Sequence, residues 1–319
     1  MPELSNDSHR FCIAPMLDWT DRHARFFLRL FSKHIRLYTE MVTANAINFG
    51  DSERFLHFNK EEHPVALQLG GSDPEALITA CTTAQPYHYD EINLNVGCPS
   101  DRVQSGRFGA CLMLDPKRVA ECYQAMVSAS NVPISIKCRI GVDEQDSEAF
   151  LHTFIDTLYQ AGCRIFIIHA RKAWLNGLSP KQNREIPPLH YDRVYRIKAQ
   201  FPDAKIVING GVTTMDATRA HLTQCDGVMM GREAYHNPYI LSNIDQTLFN
   251  ETSPALTREE ILKKMVIYIE QECQKGVKLN HITRHMLGLY HGLPGARQFR
   301  RQLSGSNIQA GLDEIRKAL

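Results

Sequence analysis

The chain has 319 residues, enough for one large α/β barrel or two medium domains, and its 43% hydrophobic and 22% charged residues are those of an ordinary folded globular protein. No apolar run approaches the ~20 residues of a bilayer span, and residues 1–10 are polar and lack the apolar core of a signal peptide, so a membrane-spanning or secreted protein is not expected. The net charge of +1 conceals an asymmetry: residues 251–319 hold 11 basic and seven acidic residues, a net +4, and residues 1–250 therefore carry −3.

Nine cysteines are scattered without a C-x-x-C pair, and the number is odd. That argues against a disulfide framework and a zinc ribbon, and for reduced thiols in a cytoplasm. Cys81, Cys122 and Cys163 read as small core fillers. No metal site is expected.

In chain order, strand-like runs fall at 11–14, 36–40, 65–69, 91–94, 134–137, 165–169, 206–209 and 227–230. They are short, rich in Val, Ile, Leu and Phe, and often continuously apolar, as suits strands of a parallel sheet buried on both faces. Amphipathic helical stretches lie between them, for example at 116–128, 147–159 and 215–222. This alternation predicts an α/β fold, a (β/α)8 TIM barrel over residues 1–245. A doubly wound open sheet is the alternative, but it would more often carry a G-x-G-x-x-G turn where Ala14, Pro15 and Met16 stand. From about 256 the pattern is helical only. Thr257 and Glu260 form a capping box that predicts a helix through Gln274, stopped by Gly276. A second helix is expected over 282–291 and a third after Pro294 and Gly295, making 246–319 a small all-α helical bundle domain.

Barrel active sites lie at the carboxyl ends of the strands. Those ends carry Pro15 and Met16, then Gln68, Asn95 and Cys98, Lys137 and Arg139, His169, Asn209-Gly210-Gly211, and Gly231-Arg232. Gly97 and Pro99 turn the chain after the fourth strand and leave the Cys98 thiol on the rim beside Asn93 and Asn95. Glycine-bearing turns after the seventh and eighth strands suit a phosphate, with Arg232 adding charge-assisted bonds. Lys137, Gln68 and His169, reaching inward from the middle strands, complete the outline of an elongated ligand. Flavin mononucleotide (FMN) matches this set, with Lys137 near the ring edge that becomes negative and Gln68 bonding the ring. Taken singly, each residue also has an ordinary reading: a turn, an ion pair, a structural thiol. The conjunction in barrel order is what points to a site.

These residues carry a resemblance. The segments 14–21, 93–100, 137–139, 169–171, 209–211 and 230–232 resemble the tRNA-dihydrouridine synthases, and 38–41, 183–188 and 283–287 are similar to their A subfamily. The match runs in order through essentially the whole chain without a departure at the motif positions. It implies an FMN enzyme that uses NADPH to reduce uridines of tRNA to 5,6-dihydrouridine, at D-loop positions 20 and 20a for the A subfamily. Carried over by motif, Pro15, Met16 and Leu17 would border the flavin, Gln68 would bond its ring, and Lys137 and His169 would contact the isoalloxazine or ribityl region. Asn209, Gly210, Gly211, Gly231 and Arg232 would hold the phosphate, Asn95 would face the uracil, and Cys98 would be the general acid. Reduction adds a hydride at C6 of uracil and a proton at C5, and a protonated thiol suits the second step. A nucleophilic thiolate would need basic neighbours, and none adjoins Cys98 in the sequence.

A uracil within tRNA must be extruded to be reduced. Basic residues to hold it occur in the long connection after His169, including Arg171, Lys172, Lys181 and Arg184, with Arg139 beside it at the end of the fifth strand. More lie in the acid-free run 273–312, where Arg297, Arg300 and Arg301 share one helix face. For such a face, solvation and phosphate contact are both open readings. Rival functions are an FMN barrel acting on a free pyrimidine, and an RNA-binding barrel without catalysis. No protein partner is evident, a monomer is expected, and no motif decides NADPH against NADH.

Overall fold

The structure, a computed structural model, describes residues 9–304 and 308–318; residues 1–8, part of the segment weighed above as a signal peptide, lie outside it. Eight strands are present: β1 (Phe11–Ile13), β2 (Leu37–Thr43), β3 (Val65–Gly70), β4 (Glu91–Val96), β5 (Ile134–Arg139), β6 (Ile165–His169), β7 (Lys205–Asn209) and β8 (Gly227–Met230). Neighbours pair in parallel in the order β1-β8-β7-β6-β5-β4-β3-β2. The remaining seam, β1 against β2, is closed by a parallel bridge in which Ile13 N donates to Arg36 O and Arg36 N donates to Phe11 O, each at 2.9 Å. The sheet is therefore a closed (β/α)8 barrel, not an open doubly wound sheet.

Side chains alternate along each strand. Ile92, Leu94 and Val96 of β4 pack outward into the layer under the helices, whereas Cys12, Tyr38, Ala66, Ile167, Val207 and Met229 form a separate apolar cluster inside the barrel. Burial on both faces explains the near-continuous apolar runs, and each fully buried aliphatic side chain contributes ~1.5–3 kcal/mol. The helices start where the sequence places caps. Asp115 accepts from Arg118 N ahead of Pro116–Ser128, Ser147 from Phe150 N ahead of Glu148–Gln160, and Thr214 from Ala217 N ahead of Met215–Leu222. Each such cap is worth ~1 kcal/mol.

After β8 the chain is helical. The Arg258–Gln274 helix begins with the expected capping box between Thr257 and Glu260. The helix expected over 282–291 is not there. A short helix, Leu279–Thr283, gives way to turns closed by i→i−3 bonds, such as Met286 N to Thr283 O and His291 N to Gly288 O. Gly288 lies against the backbone of His236, where an added Cβ would stand 2.5 Å from the carbonyl oxygen. Docking on the barrel, not helical periodicity, sets the path of that segment. The helices Ala296–Leu303 and Ile308–Ala318 complete the tail.

Candidate active site

Registry brings the polar strand ends together. Asn95 pairs with Lys137 across β4 and β5, Arg139 with His169 across β5 and β6, and His169 with Asn209 across β6 and β7. On one wall a chain of hydrogen bonds climbs the barrel interior. Glu91 Oε1 accepts from Tyr38 at 2.9 Å and from the Ser135 hydroxyl, and Ser135 Oγ accepts from Asn93 Nδ2 at 2.7 Å. Asn93 Oδ1 accepts from Gln68 Nε2 at 2.7 Å, and Gln68 Oε1 accepts from Asn95 Nδ2 at 2.9 Å. Asn95 Oδ1 then accepts the backbone N–H groups of Gly97 at 3.2 Å and Cys98 at 3.0 Å. Each partner fixes the orientation of the next amide, so the chain sets the geometry of the cysteine turn from below. Asn95 keeps one unused N–H, and each atom of the Gln68 amide keeps one further bonding position. The Cys98 thiol is half-buried and points to Ser100 Oγ at 3.6 Å.

The adjoining wall, from β5 to β7, is cationic. Burial, and then the Arg139 guanidinium, bring the Lys137 ammonium down from 10.5 to about 8. Its Nζ donates to Asn209 Oδ1 at 3.1 Å, while Asn209 Nδ2 donates to Met229 O at 2.8 Å. His169 is 9% exposed, and burial with the charges of Arg139 and Lys137 holds it well below the usual histidine range, a neutral imidazole at pH 7. No basic residue adjoins Cys98 in sequence, but the fold brings Lys137, Arg139 and Arg184 within electrostatic reach of it.

Gly210 and Gly211 turn at φ of 113° and 69°, in the left-handed region that favours glycine. A Cβ at Gly210 would stand 2.5 Å from His169 Cδ2, and one at Gly211 2.5 Å from Leu189 Cδ1. The turn thus presents bare backbone. Gly231 borders Ala14 and Met16, at 3.7 and 4.0 Å from its ideal Cβ position, which joins the β1 loop to the β8 turn. Pro15 and Met16 are half-buried on that loop, and Leu17 is 70% exposed. Arg232 begins the short helix beside Gly231 and pairs with Glu185 at 2.5 Å. Arg171, Arg184 and Arg232 act on one another's charge with Glu185 as the nearby carboxylate, so this end of the mouth suits an anion.

Arg139, expected at the RNA, is 3% exposed. Its Nε donates to Gly97 O at 3.0 Å, and its Nη1 to Lys172 O at 3.1 Å and Asn183 O at 2.9 Å. The long connection after β6 folds around Asn183, whose amide bonds Trp174 N at 2.7 Å, Trp174 O at 2.9 Å and Leu178 O at 3.1 Å. Lys172 is spent inside it, on Asp143 O at 3.0 Å, Asp146 at 3.2 Å and the Trp174 ring at 4.1 Å. Lys181 and Arg184 stay exposed on it. Arg297, Arg300 and Arg301 are exposed as well, on a helix that buries Phe299 and Leu303 and packs on Thr283. Of the other tail cations, Lys275 pairs with Glu272 at 2.8 Å and Arg284 with Asp21 at 2.7 Å.

The family model "Dihydrouridine synthase (Dus)" matches residues 12–318. The chain belongs to the dihydrouridine synthase family. It is 56% identical over 318 residues to a Shewanella oneidensis protein named tRNA-dihydrouridine(20/20a) synthase, covering 99% of this chain and 95% of that one. Proteins of the same name from Vibrio cholerae and Escherichia coli K12 are each 55% identical, covering 98% of this chain and 96% and 91% of theirs. Among solved structures, an old yellow enzyme homologue from Zymomonas mobilis superposes with a TM-score of 0.54 at 11% identity, covering 78% of this chain and 90% of that one. That likeness concerns the barrel fold.

The sequence reading of this dihydrouridine synthase family member missed the lower part of the polar chain. Its signal was present, since Glu91, Asn93 and Asn95 occupy alternate positions on one face of a strand whose other face is apolar. The role of Asn183 in holding its loop had no such signal. Nor did Asp21, which caps the Arg22–Arg29 helix and binds Arg284 and His285 of the tail. Burial opposes ionisation of Asp21, but the hydrogen bond and charge of His285 outweigh it and hold the carboxyl far below its usual range.

Proposed function

We propose that this chain is an FMN-dependent tRNA-dihydrouridine synthase of the cytoplasm, reducing uridines 20 and 20a of the D-loop with NADPH as reductant and acting as a monomer. The observation that carries the reading is the hydrogen-bond chain through Gln68 and Asn95 that ends on the Cys98 turn, with the Lys137–Asn209 pair beside it at the same barrel mouth. Full-length identity of 55–56% to proteins named for positions 20 and 20a supports the choice of substrate.

The residues fit a flavin nucleotide. The Gly210–Gly211 turn, where a Cβ would collide, and Gly231 with Arg232 suit its phosphate, with Arg171 close enough to feel the Arg232 charge. Pro15, Met16 and Leu17 would border the ring, Gln68 would bond its edge, and neutral His169 would lie against the ring or the ribityl chain. A bound flavin supplies a hydride equivalent to C6 of the uracil. Lys137 holds a positive charge beside the reduced ring, and the remaining N–H of Asn95 orients the base. Cys98 donates its proton to C5 and regains one from solvent, so the base gains one hydride and one proton. Arg139 shapes the mouth by holding its loops, while Lys181, Arg184, Arg297 and Arg300 meet the RNA backbone.

Purified protein should show a flavin spectrum that NADPH bleaches and that unmodified tRNA, but not free uracil, restores, with dihydrouridine at positions 20 and 20a. Cys98→Ala should keep the bleaching and lose the product. Flavin restored by free uracil, or a Cys98→Ala protein that modifies tRNA at the parent rate, would overturn the reading.

A further inference from the structure

Cys98 is flanked by Gly97 and Pro99, and the carbonyls of both are held by side chains that also hold the β6 connection. Arg139 spans Gly97 O at 3.0 Å, Lys172 O at 3.1 Å and Asn183 O at 2.9 Å. Gln104, in the short helix that follows the cysteine turn, donates from Nε2 to Pro99 O at 3.0 Å and to Leu175 O at 2.5 Å. Asn95 also holds the turn, and so does the following 3-10 helix, Gly109–Leu114, through the bond from Ala110 N to Cys98 O at 2.9 Å. Between β6 and its following helix, then, one loop carries exposed Lys181 and Arg184 and is stapled to both neighbours of Cys98.

We propose that Gln104 and Arg139 are positioning residues that couple the Cys98 turn to the 171–185 connection, so that where RNA seats that connection decides where the thiol stands over the base. The inference rests on the tRNA-reduction reading and deepens it. Two donors per staple matter physically. A side chain holding one carbonyl fixes one strand of chain, whereas one shared between two loops transmits the displacement of either to the other. A proton donor displaced by about 1 Å loses about 10²-fold in rate. Such a loss would fall on proton delivery, not on flavin reduction, which does not use the thiol.

Gln104 is half-buried at the rim, so Gln104→Met keeps its length while removing both donors. Arg139→Lys keeps the charge but cannot bridge three carbonyls. With protein pre-reduced by NADPH and saturating tRNA, single-turnover dihydrouridine formation should slow about ten- to a hundredfold in Gln104→Met. The solvent deuterium isotope effect should rise, while flavin reduction by NADPH and tRNA affinity stay at parent values. Arg139→Lys should shift the same two readouts in the same direction. A parent-like turnover rate and isotope effect in Gln104→Met would overturn the proposal, as would a loss appearing only as weaker tRNA binding. A parent protein that makes no dihydrouridine would overturn the functional reading, and this inference with it.

Discussion

Lys137 and Glu185 are the two residues of the mouth whose charge can be read out directly. Burial and Arg139 bring Lys137 to about 8, so the free protein loses this ammonium as pH rises through that value. Reduced FMN, whose ring edge carries negative charge, favours the charged form, which means that above about 8 it must bind together with a proton. Affinity for reduced FMN should therefore be flat from pH 7 to that value and fall above it, by up to about tenfold per pH unit. Anaerobic equilibrium titration of the apoprotein with reduced FMN across pH 7–10 checks this, and Lys137→Met should abolish the alkaline limb; an unchanged limb would remove Lys137 from the ring. Glu185 makes the opposite prediction. The hydrogen bond from Arg232 holds its carboxyl below the usual range, so a flavin phosphate must share or displace that partner. Glu185→Gln should tighten FMN binding a few-fold, a modest change because exposed ion pairs are weak. Looser binding would show instead that Glu185 orients Arg232.

At the scale of elements, helix burial separates cations that the sequence presents as one run. The Ala296–Leu303 helix buries Phe299 and Leu303 and turns Arg297, Arg300 and Arg301 outward, while Lys275 is paired within its own turn. Removing one phosphate contact lowers the salt slope of RNA binding by about one. Arg300→Ala should do so and weaken tRNA binding at low salt, whereas Lys275→Ala should leave the slope alone. Equal slopes in Arg300→Ala and parent protein would make this a solvated face. The strands and the tail's capping box were legible because near-continuous apolar runs and the Thr257–Glu260 pair report local energetics. The 282–291 segment was not, because its path follows from the contact of Gly288 with His236, a tertiary constraint without periodicity. The same limit applies in the site. Cys98, Lys137 and the glycine turns could be found by their place at strand ends, but nothing in the chain announces that Arg139 spends its donors on carbonyls of Lys172 and Asn183.

For the whole molecule, the mouth depends on a barrel that stays closed at its base. Glu91 lies inside, with His9 Nε2 at 2.5 Å and Arg36 Nη1 at 3.4 Å, and it also accepts from Tyr38 and Ser135. Arg36 closes the β1–β2 seam with its backbone, so one residue joins the two edge strands and faces the buried carboxylate. Burial opposes ionisation of Glu91, but the charges of His9 and Arg36 outweigh it and hold the carboxyl at about 2 instead of 4.5. A carboxyl depressed in the folded state contributes stability that is fully present above its unfolded value and is lost as pH falls through the folded one. The window is therefore about 4.5 down to about 2. Glu91→Ala removes the buried carboxylate that His9, Arg36, Tyr38 and Ser135 share and should cost ~3–5 kcal/mol at neutral pH. It should also flatten the acid limb of stability within that window. Urea midpoints measured at a series of pH values compare the two proteins. Parallel acid limbs would mean that Glu91 is already protonated in the fold, and that the chain rising from it to Cys98 starts from a neutral acid.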